Sequence, residues 1–411
     1  MLLLKNYILT SSHIFCPDVC IKQENTIESR VFSGRRHEMN ILGSNELIAD
    51  VFEKNLCIGC GACVSLCPYF KSYNGKTAML FPCTQPQGRC FAYCPKVEVD
   101  LDEVSRHIFG KPYTMEPIGV FRAVKISRAG KKVGDGLFQA GGTASGLMMY
   151  ALKKKKIDAA ILTGRDGLLA VPAVVADPGE VKKFTTSTYT SAPTLAAFNQ
   201  AVHDGYVKIG VAATPCQALA LAQMRSNPMH EKDFMDATAL VVGLFCTWAL
   251  DYRQLLSLLA GRIDINSIKK FDIPPPPAEI MEIITNEGKI EIPLRDIRES
   301  IPHSCDYCFD MTAEFADVSV GVLEGRGDRN TIIIRTERGG EMVDAAAKEG
   351  YLDLEDYPEK NLDHLRIASG NKKKRALSKA RNDGMINTHH GGRRALIRIE
   401  KDTVDKMQGE G

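Results

Sequence analysis

The strongest constraint on this chain is the run Cys57, Cys60, Cys63, Cys67 followed by Pro68, with two, two and three residues between successive cysteines. In this bacterial ferredoxin spacing three thiolates hold one 4Fe-4S cluster and the fourth reaches a neighbouring one. Gly59 and Gly61 suit a loop whose backbone amides must approach sulfide, and Pro68 turns the chain away after the last ligand. A zinc site needs only four ligands and leaves the three-plus-one spacing unexplained. A second half follows at Cys83, Cys90 and Cys94-Pro95, one cysteine short of a full repeat. If pairing follows the two-cluster pattern, Cys94 completes the set of Cys57, Cys60 and Cys63, while Cys67, Cys83 and Cys90 form the other. That other cluster then needs a non-cysteine ligand, a distant cysteine or a three-iron form.

The rest of the chain is too long to be a ferredoxin alone. Its 411 residues call for two or more units, and 44% hydrophobic with 25% charged residues is a globular composition. The 52 basic and 50 acidic residues nearly cancel, so the balance demands neither a nucleic-acid nor a membrane-surface partner. No run of about 18 apolar residues offers a membrane span. The opening MLLLKNYILTSSHIF is a poor secretory signal, and thirteen cysteines in tight clusters read as metal ligands rather than disulfides. The expected setting is the cytoplasm of an anaerobe.

Residues 1–44 read as a leader without periodicity, with Met39 as a possible start and with Cys16 and Cys20 binding nothing. Residues 45–110 read as a small ferredoxin-like unit held by clusters more than by a large core. Beyond a boundary near Gly110 to Pro117, strand-like and helical runs alternate through 115–370, an α/β (mixed α+β) arrangement. Strands are expected at Phe121–Ser127, Ile157–Thr163, Val207–Ala213 and Leu240–Phe245, and helices at Gly142–Lys155, Pro193–His203, Pro215–Arg225 and Tyr252–Ala260. Glu279–Pro293 reads as a hairpin turning at Asn286-Glu287-Gly288; a strand at Thr331–Thr336 and a helix from Gly340 to Glu349 follow. The basic tail 371–411, with Lys372, Lys373, Lys374, Arg375, Lys379 and Arg381, reads as a solvated helix face.

Four further cysteines stand at strand ends or in loops: Cys216, Cys246 and the pair Cys305 and Cys308. Their number suits a 4Fe-4S cube, though four unrelated thiols, some in the core, would satisfy the same pattern. Around them the segments QAGGTASGLMMYAL, TSTYTSAPTL, VAATPCQALAL, VVGLFCTW and SCDYCFDMTAEFADVSVG resemble, in order across Phe121–Leu352, the beta subunits of coenzyme F-420 hydrogenases and F-420-linked formate dehydrogenases. The resemblance implies a flavin-binding domain that exchanges hydride with F-420 through FAD and single electrons with clusters, and it implies that Cys216, Cys246, Cys305 and Cys308 share one.

Within that domain Gln139, Gly141, Gly142 and Thr143 open a helix, where backbone amides can approach a phosphate or flavin edge; a glycine pair is also an ordinary turn. Thr188, Tyr189, Thr190 and Ser191 with Pro193 fall in the family's substrate-side loop, although Tyr189 equally suits packing. Thr214, Pro215 and Gln217 sit with Cys216 at a strand-to-helix junction, where Thr214 can cap the helix. Asp317 and Ser319 precede Gly321 and suit a turn. Two departures bear on the carrier. Ser187-Thr188-Tyr189 stands where relatives have lysine in a Gly-Thr-Lys-Tyr stretch, and Ile273-Pro274-Pro275-Pro276-Pro277-Ala278 stiffens the loop before the hairpin.

The expectation is a flavoprotein subunit with two or three 4Fe-4S clusters and FAD. F-420 or a similar small hydride carrier is its substrate. Its partners are the other subunits of a hydrogenase, formate dehydrogenase or heterodisulfide reductase-like complex. The rival readings are a flavin reductase of another carrier or organic substrate, and a pure electron relay. No acid-base triad is expected, because such a protein orients cofactors and tunes their potentials.

Overall fold

The computed structural model describes residues 41–274, 278–389, 391 and 393–406. The leader through residue 40, with Cys16, Cys20 and Met39, lies outside the described residues, as does Pro275–Pro277 of the tetraproline. Structured chain begins earlier than residue 45: Ile41 is buried, and the Gly43 amide donates to the Glu46 carboxylate at 3.1 Å.

The central element is an eight-stranded mixed sheet. Its strands are β1 (Ala123–Ala129), β2 (Ala159–Asp166), β3 (Leu169–Val175), β4 (Ile209–Ala213), β5 (Thr238–Leu244), β6 (Val318–Leu323), β7 (Arg326–Ile334) and β8 (Leu352–Asp356). They lie in the order β8-β1-β7-β6-β5-β4-β2-β3. The middle run β6-β5-β4-β2 is parallel and both margins are antiparallel. Alternate side chains feed two cores, Leu240 and Val242 of β5 packing with Leu147 and Ile332 on one face, and Val241 with Ile161 and Leu221 on the other. β3 was not foreseen because Pro172 interrupts its apolar run. It is an edge strand, where the missing donor is tolerated.

Two helices near the cysteines start at local caps. Pro215–Arg225 starts with a Thr214/Gln217 capping box and proline in its first turn, and Asp251 caps Tyr252–Leu259 by accepting from the Arg253 and Gln254 amides. The expected hairpin forms from Ile280–Thr285 and Lys289–Pro293, and Ile268–Asp272 adds a third antiparallel strand. Asp317 and Ser319 do not serve a turn. Gly321 lies inside β6, Asp317 accepts from the Val241 amide and binds Arg338 at 2.6 Å, and Ser319 accepts from Arg335.

Two sequence boundaries dissolve. The described residues all belong to one compact unit, and residue 371 falls inside a 24-residue helix, Glu359–Asn382. Its inner stripe of Ser369, Lys372, Lys373, Ala376, Leu377 and Ala380 has helical spacing, so two of the supposed surface lysines are core residues. The chain then adds Ile386–Asn387 and Ile397–Arg398, the latter pairing in parallel with Val99–Asp100 of the cysteine-rich segment. Leu377, Leu396 and Ile399 pack there with Leu47, Phe70 and Leu101, so this segment has a core completed by the carboxyl-terminal chain. Among the described residues no helix is long and apolar enough to cross a membrane.

Candidate iron-sulfur and cofactor site

Cys57, Cys60 and Cys63 lie on the loop after the entry helix, and Cys94 lies just after the helical turn Arg89–Ala92. Every pair among these four thiols is close enough for their charges to interact. All four line one cavity, with Leu47, Val51 and Phe52 as apolar walls. Burial, then Cys94, pushes the Cys60 and Cys63 thiols far up, and burial takes Cys94 up to about 12. The run docks on the large sheet's loops: the Leu195 amide donates to the Cys60 carbonyl at 3.0 Å, and a side chain at Gly61 would meet the Ala196 nitrogen at 2.6 Å. Glycine at 61 thus serves close backbone approach as well as its positive φ.

Cys90 interacts with Cys67 and Cys83, and burial pushes its thiol up to about 11. The dispersed cysteines also gather. Cys216 and Cys246 follow the carboxyl ends of the adjacent parallel strands β4 and β5, where α/β sheets collect functional loops. Cys305 and Cys308 arrive on the loop before β6, held by a bond from the Cys246 amide to the Met311 carbonyl at 2.9 Å. Every pair among these four interacts. Burial raises Cys216 to about 11 and holds Cys246 and Cys305 above the ordinary thiol range.

The three sets form a chain of neighbours. Cys90 interacts with Cys63, and Cys60 interacts with Cys216. Among the described residues no three His, Cys, Asp or Glu side chains are gathered so tightly that they could hold a single metal ion. A donor set of clustered, buried or half-buried thiols, whose thiolates would repel one another, fits a larger cationic iron-sulfur core, which would stabilise their deprotonated form.

Sequence reasoning missed two cations beside these thiols. Lys96 and Lys372 are buried, 6% and 4% exposed, and Lys372 donates to Cys308 Sγ at 3.4 Å. Both sit in lysine-bearing stretches that composition alone assigns to solvent.

The residues expected at a flavin divide. Gly141, Gly142 and Thr143 serve the fold. Asn330 Oδ1 accepts the Thr143 amide at 3.2 Å, the Thr143 hydroxyl meets Ser127 at 2.7 Å, and a side chain at Gly141 would strike Asn330. Gln217 is spent on Thr194, Ala192 and its own cap, and Thr190 donates to the Leu168 carbonyl. Pro215 is the first helical residue, and the Thr214 hydroxyl lies 3.3 Å from Cys216 Sγ. Ser191 ties its amide to Leu250.

Gln139 instead reaches the Phe271 carbonyl and Asp272, and it accepts from the Ser187 amide beside Thr188. Tyr189 has positive φ and packs edge-on to Phe271; burial raises its phenol, and it interacts with Cys246. Over the same Phe271 ring, 5.3 Å from its centroid, lies the Arg165 guanidinium. Arg165 Nη2 donates to the Ile268 carbonyl, while Nη1 is buried without a partner. An orphaned cation beside aromatic rings and an amide fits an anionic or planar cofactor better than the Gly141–Thr143 helix start does.

Comparison with known proteins places this architecture. Residues 51–69 match a 4Fe-4S binding domain, so the chain is an iron-sulfur α/β protein. Residues 136–199 and 175–360 match the N-terminal and C-terminal models of the coenzyme F420 hydrogenase/dehydrogenase beta subunit, and the chain belongs to that family. It is 28% identical to the coenzyme F420-dependent sulfite reductase of Methanocaldococcus jannaschii, over 75% of this chain but only 48% of that protein. With the coenzyme F420 hydrogenase subunit beta of Methanothermobacter thermautotrophicus it shares 26% identity over 63% of its own length and 94% of the relative. A chain of the F420-reducing [NiFe] hydrogenase complex from Methanosarcina barkeri superposes with a TM-score of 0.60 at 25% identity, covering 65% of this chain and 93% of that one.

Proposed function

We propose that this chain is a flavin- and iron-sulfur-dependent oxidoreductase subunit. It exchanges hydride with F-420 or a similar carrier and passes single electrons to a partner enzyme. The observation that carries the reading is the linked series of thiol sets, Cys67/Cys83/Cys90 beside Cys57/Cys60/Cys63/Cys94 beside Cys216/Cys246/Cys305/Cys308. FAD, when bound, takes two electrons as hydride and releases them singly. The chain's residues then have distinct tasks. Arg165, Gln139, Thr188 and Tyr189 orient the cofactor side, and Tyr189 connects that side to Cys246. The apolar walls around the Cys57/Cys60/Cys63/Cys94 set and beside Cys216 and Cys308 limit water there and tune the potentials.

A second reading, a pure relay without hydride chemistry, is favoured by one observation: Asn330 already occupies the helix-start amide expected to meet a flavin. Anaerobic purification with iron, sulfide and flavin counts, followed by assays with F-420, NADH and NADPH, separates them. Clusters with FAD and a reducible carrier support the first reading; clusters without flavin overturn it in favour of the relay.

A further inference from the structure

Buried lysines are costly unless something compensates them, and two stand at the thiols. Lys372 occupies a core position of the Glu359–Asn382 helix, mostly beyond the family match that ends at residue 360. Its Nζ donates to the Cys246 carbonyl at 2.7 Å, the Asp310 carbonyl at 2.8 Å and Cys308 Sγ at 3.4 Å. An ammonium has three donors, and none of these acceptors is a carboxylate. Lys96 donates to the Ser304 carbonyl at 3.0 Å. It lines the cavity of Cys57, Cys60, Cys63 and Cys94 as well as the one beside Cys216 and Cys308. Its charge reaches Cys94 on one side and Cys216 and Cys305 on the other.

We infer that the two lysines are positioning residues for electron transfer: Lys372 raises the reduction potential of the Cys216/Cys246/Cys305/Cys308 cluster alone, and Lys96 raises that of this cluster and of its Cys57/Cys60/Cys63/Cys94 neighbour. The inference rests on the reading of both sets as cluster ligands. Reduction brings in one electron from the donor and makes or breaks no bond, so the negative charge of the site rises by one. A fixed neighbouring cation and an N–H···S bond both favour the reduced form. With two cations against one, the dispersed set becomes the electron sink nearest the cofactor side, drawing electrons off singly before they pass toward Cys60.

The test is a dithionite redox titration, followed by electron paramagnetic resonance, of the whole chain purified anaerobically with its iron counted. Lys372→Met should keep full iron and lower the reduction equilibrium constant of one signal about tenfold, about 59 mV for one electron, with the others unmoved. Lys372→Arg should restore most of it, and Lys96→Met should lower two signals. Full iron with unmoved potentials in Lys372→Met overturns the inference while leaving the ligand reading intact. Should Lys372→Met lose iron, Lys96→Met decides alone: one signal moved, or none, overturns the inference. Cys308→Ser tests the underlying reading separately, and iron equal to the wild type there refutes it.

Discussion

Cys60 of the ferredoxin run and Cys216 at the end of β4 lie close enough that each thiolate would destabilise the other. Far apart in sequence, they are brought together because the start of the Thr194–His203 helix packs on Gly61 and the Pro215–Arg225 helix starts after β4. The ferredoxin segment and the sheet therefore share a seam, and the thiol sets meet across it.

Removing one ligand at that seam should cost one cluster. In Cys60→Ser the iron content should fall by one cluster's share while flavin binding and far-ultraviolet circular dichroism persist, since the change is small and the sheet's other face has a core without Cys60. Iron analysis beside flavin fluorescence checks it, and unchanged iron would remove Cys60 from the ligand set.

The seam holds a titrating group as well. Lys373 Nζ lies 2.8 Å from Glu314 Oε1, both almost fully buried, and the Tyr113 hydroxyl donates to Glu314 Oε2 at 3.0 Å. Burial pushes the Glu314 carboxyl up to about 7 despite Lys373. Its folded form thus binds protons more tightly than its unfolded form, so its contribution to stability is full below about pH 4.5 and lost as pH rises through about 7. Glu314→Gln should flatten that decline in denaturant midpoints between pH 5 and 8, measured at roughly unit steps; an unaltered slope would rule Glu314 out as its source.

Much of this was readable in advance, for physical reasons. Strand and helix periods placed β1, β2, β4 and β5 and the helices between them within a few residues, because apolar spacing and Pro215 punctuate them. Cysteine spacing grouped the ferredoxin-run thiols and family resemblance grouped the dispersed four, and the fold brings each of these sets within charge interaction. The lysine errors have one root, residues whose usual environment is not theirs. Lys372 and Lys373 read as solvent-facing because lysine is almost never buried unpaired, and their acceptors come from residues too distant in sequence to foresee. The Gly141-Gly142 pair is a different case: only the fold reveals Asn330 against Gly141 and Phe138 against Gly142. Arg165 gave no sequence signal, since its orphaned nitrogen depends on Ile268 and Phe271 arriving from another sheet.

Gly321 should tolerate no side chain. A Cβ there would overlap the Phe245 ring, and Phe245 precedes Cys246. Gly321→Ala is expected to destabilise the chain by about 1–3 kcal/mol through overpacking. Phe245→Leu in the same chain should recover part of it in thermal unfolding. Wild-type stability in Gly321→Ala would mean that Phe245 moves aside freely.

Arg165 offers the most direct test of the cofactor side. Its guanidinium is fixed from two directions, by the Ile268 carbonyl and the Phe271 face, so Nη1 points in one direction without a partner. A charge-assisted bond to an anionic group is worth about 1.5–3 kcal/mol, or roughly ten- to a hundredfold in affinity. Arg165→Ala should therefore weaken binding of FAD or of an anionic hydride carrier by at least about tenfold. Arg165→Lys, which keeps the charge but loses the planar fork, should fall between. Flavin fluorescence titration of protein stripped of flavin, with the carrier's KM measured in parallel, distinguishes the two ligands. Arg165, reached from β2 across the Phe271 ring, would then supply the cation of the cofactor side. Equal affinities for both ligands in Arg165→Ala and wild type would leave the orphaned nitrogen without a ligand role and return the cofactor side to Gln139 and Tyr189.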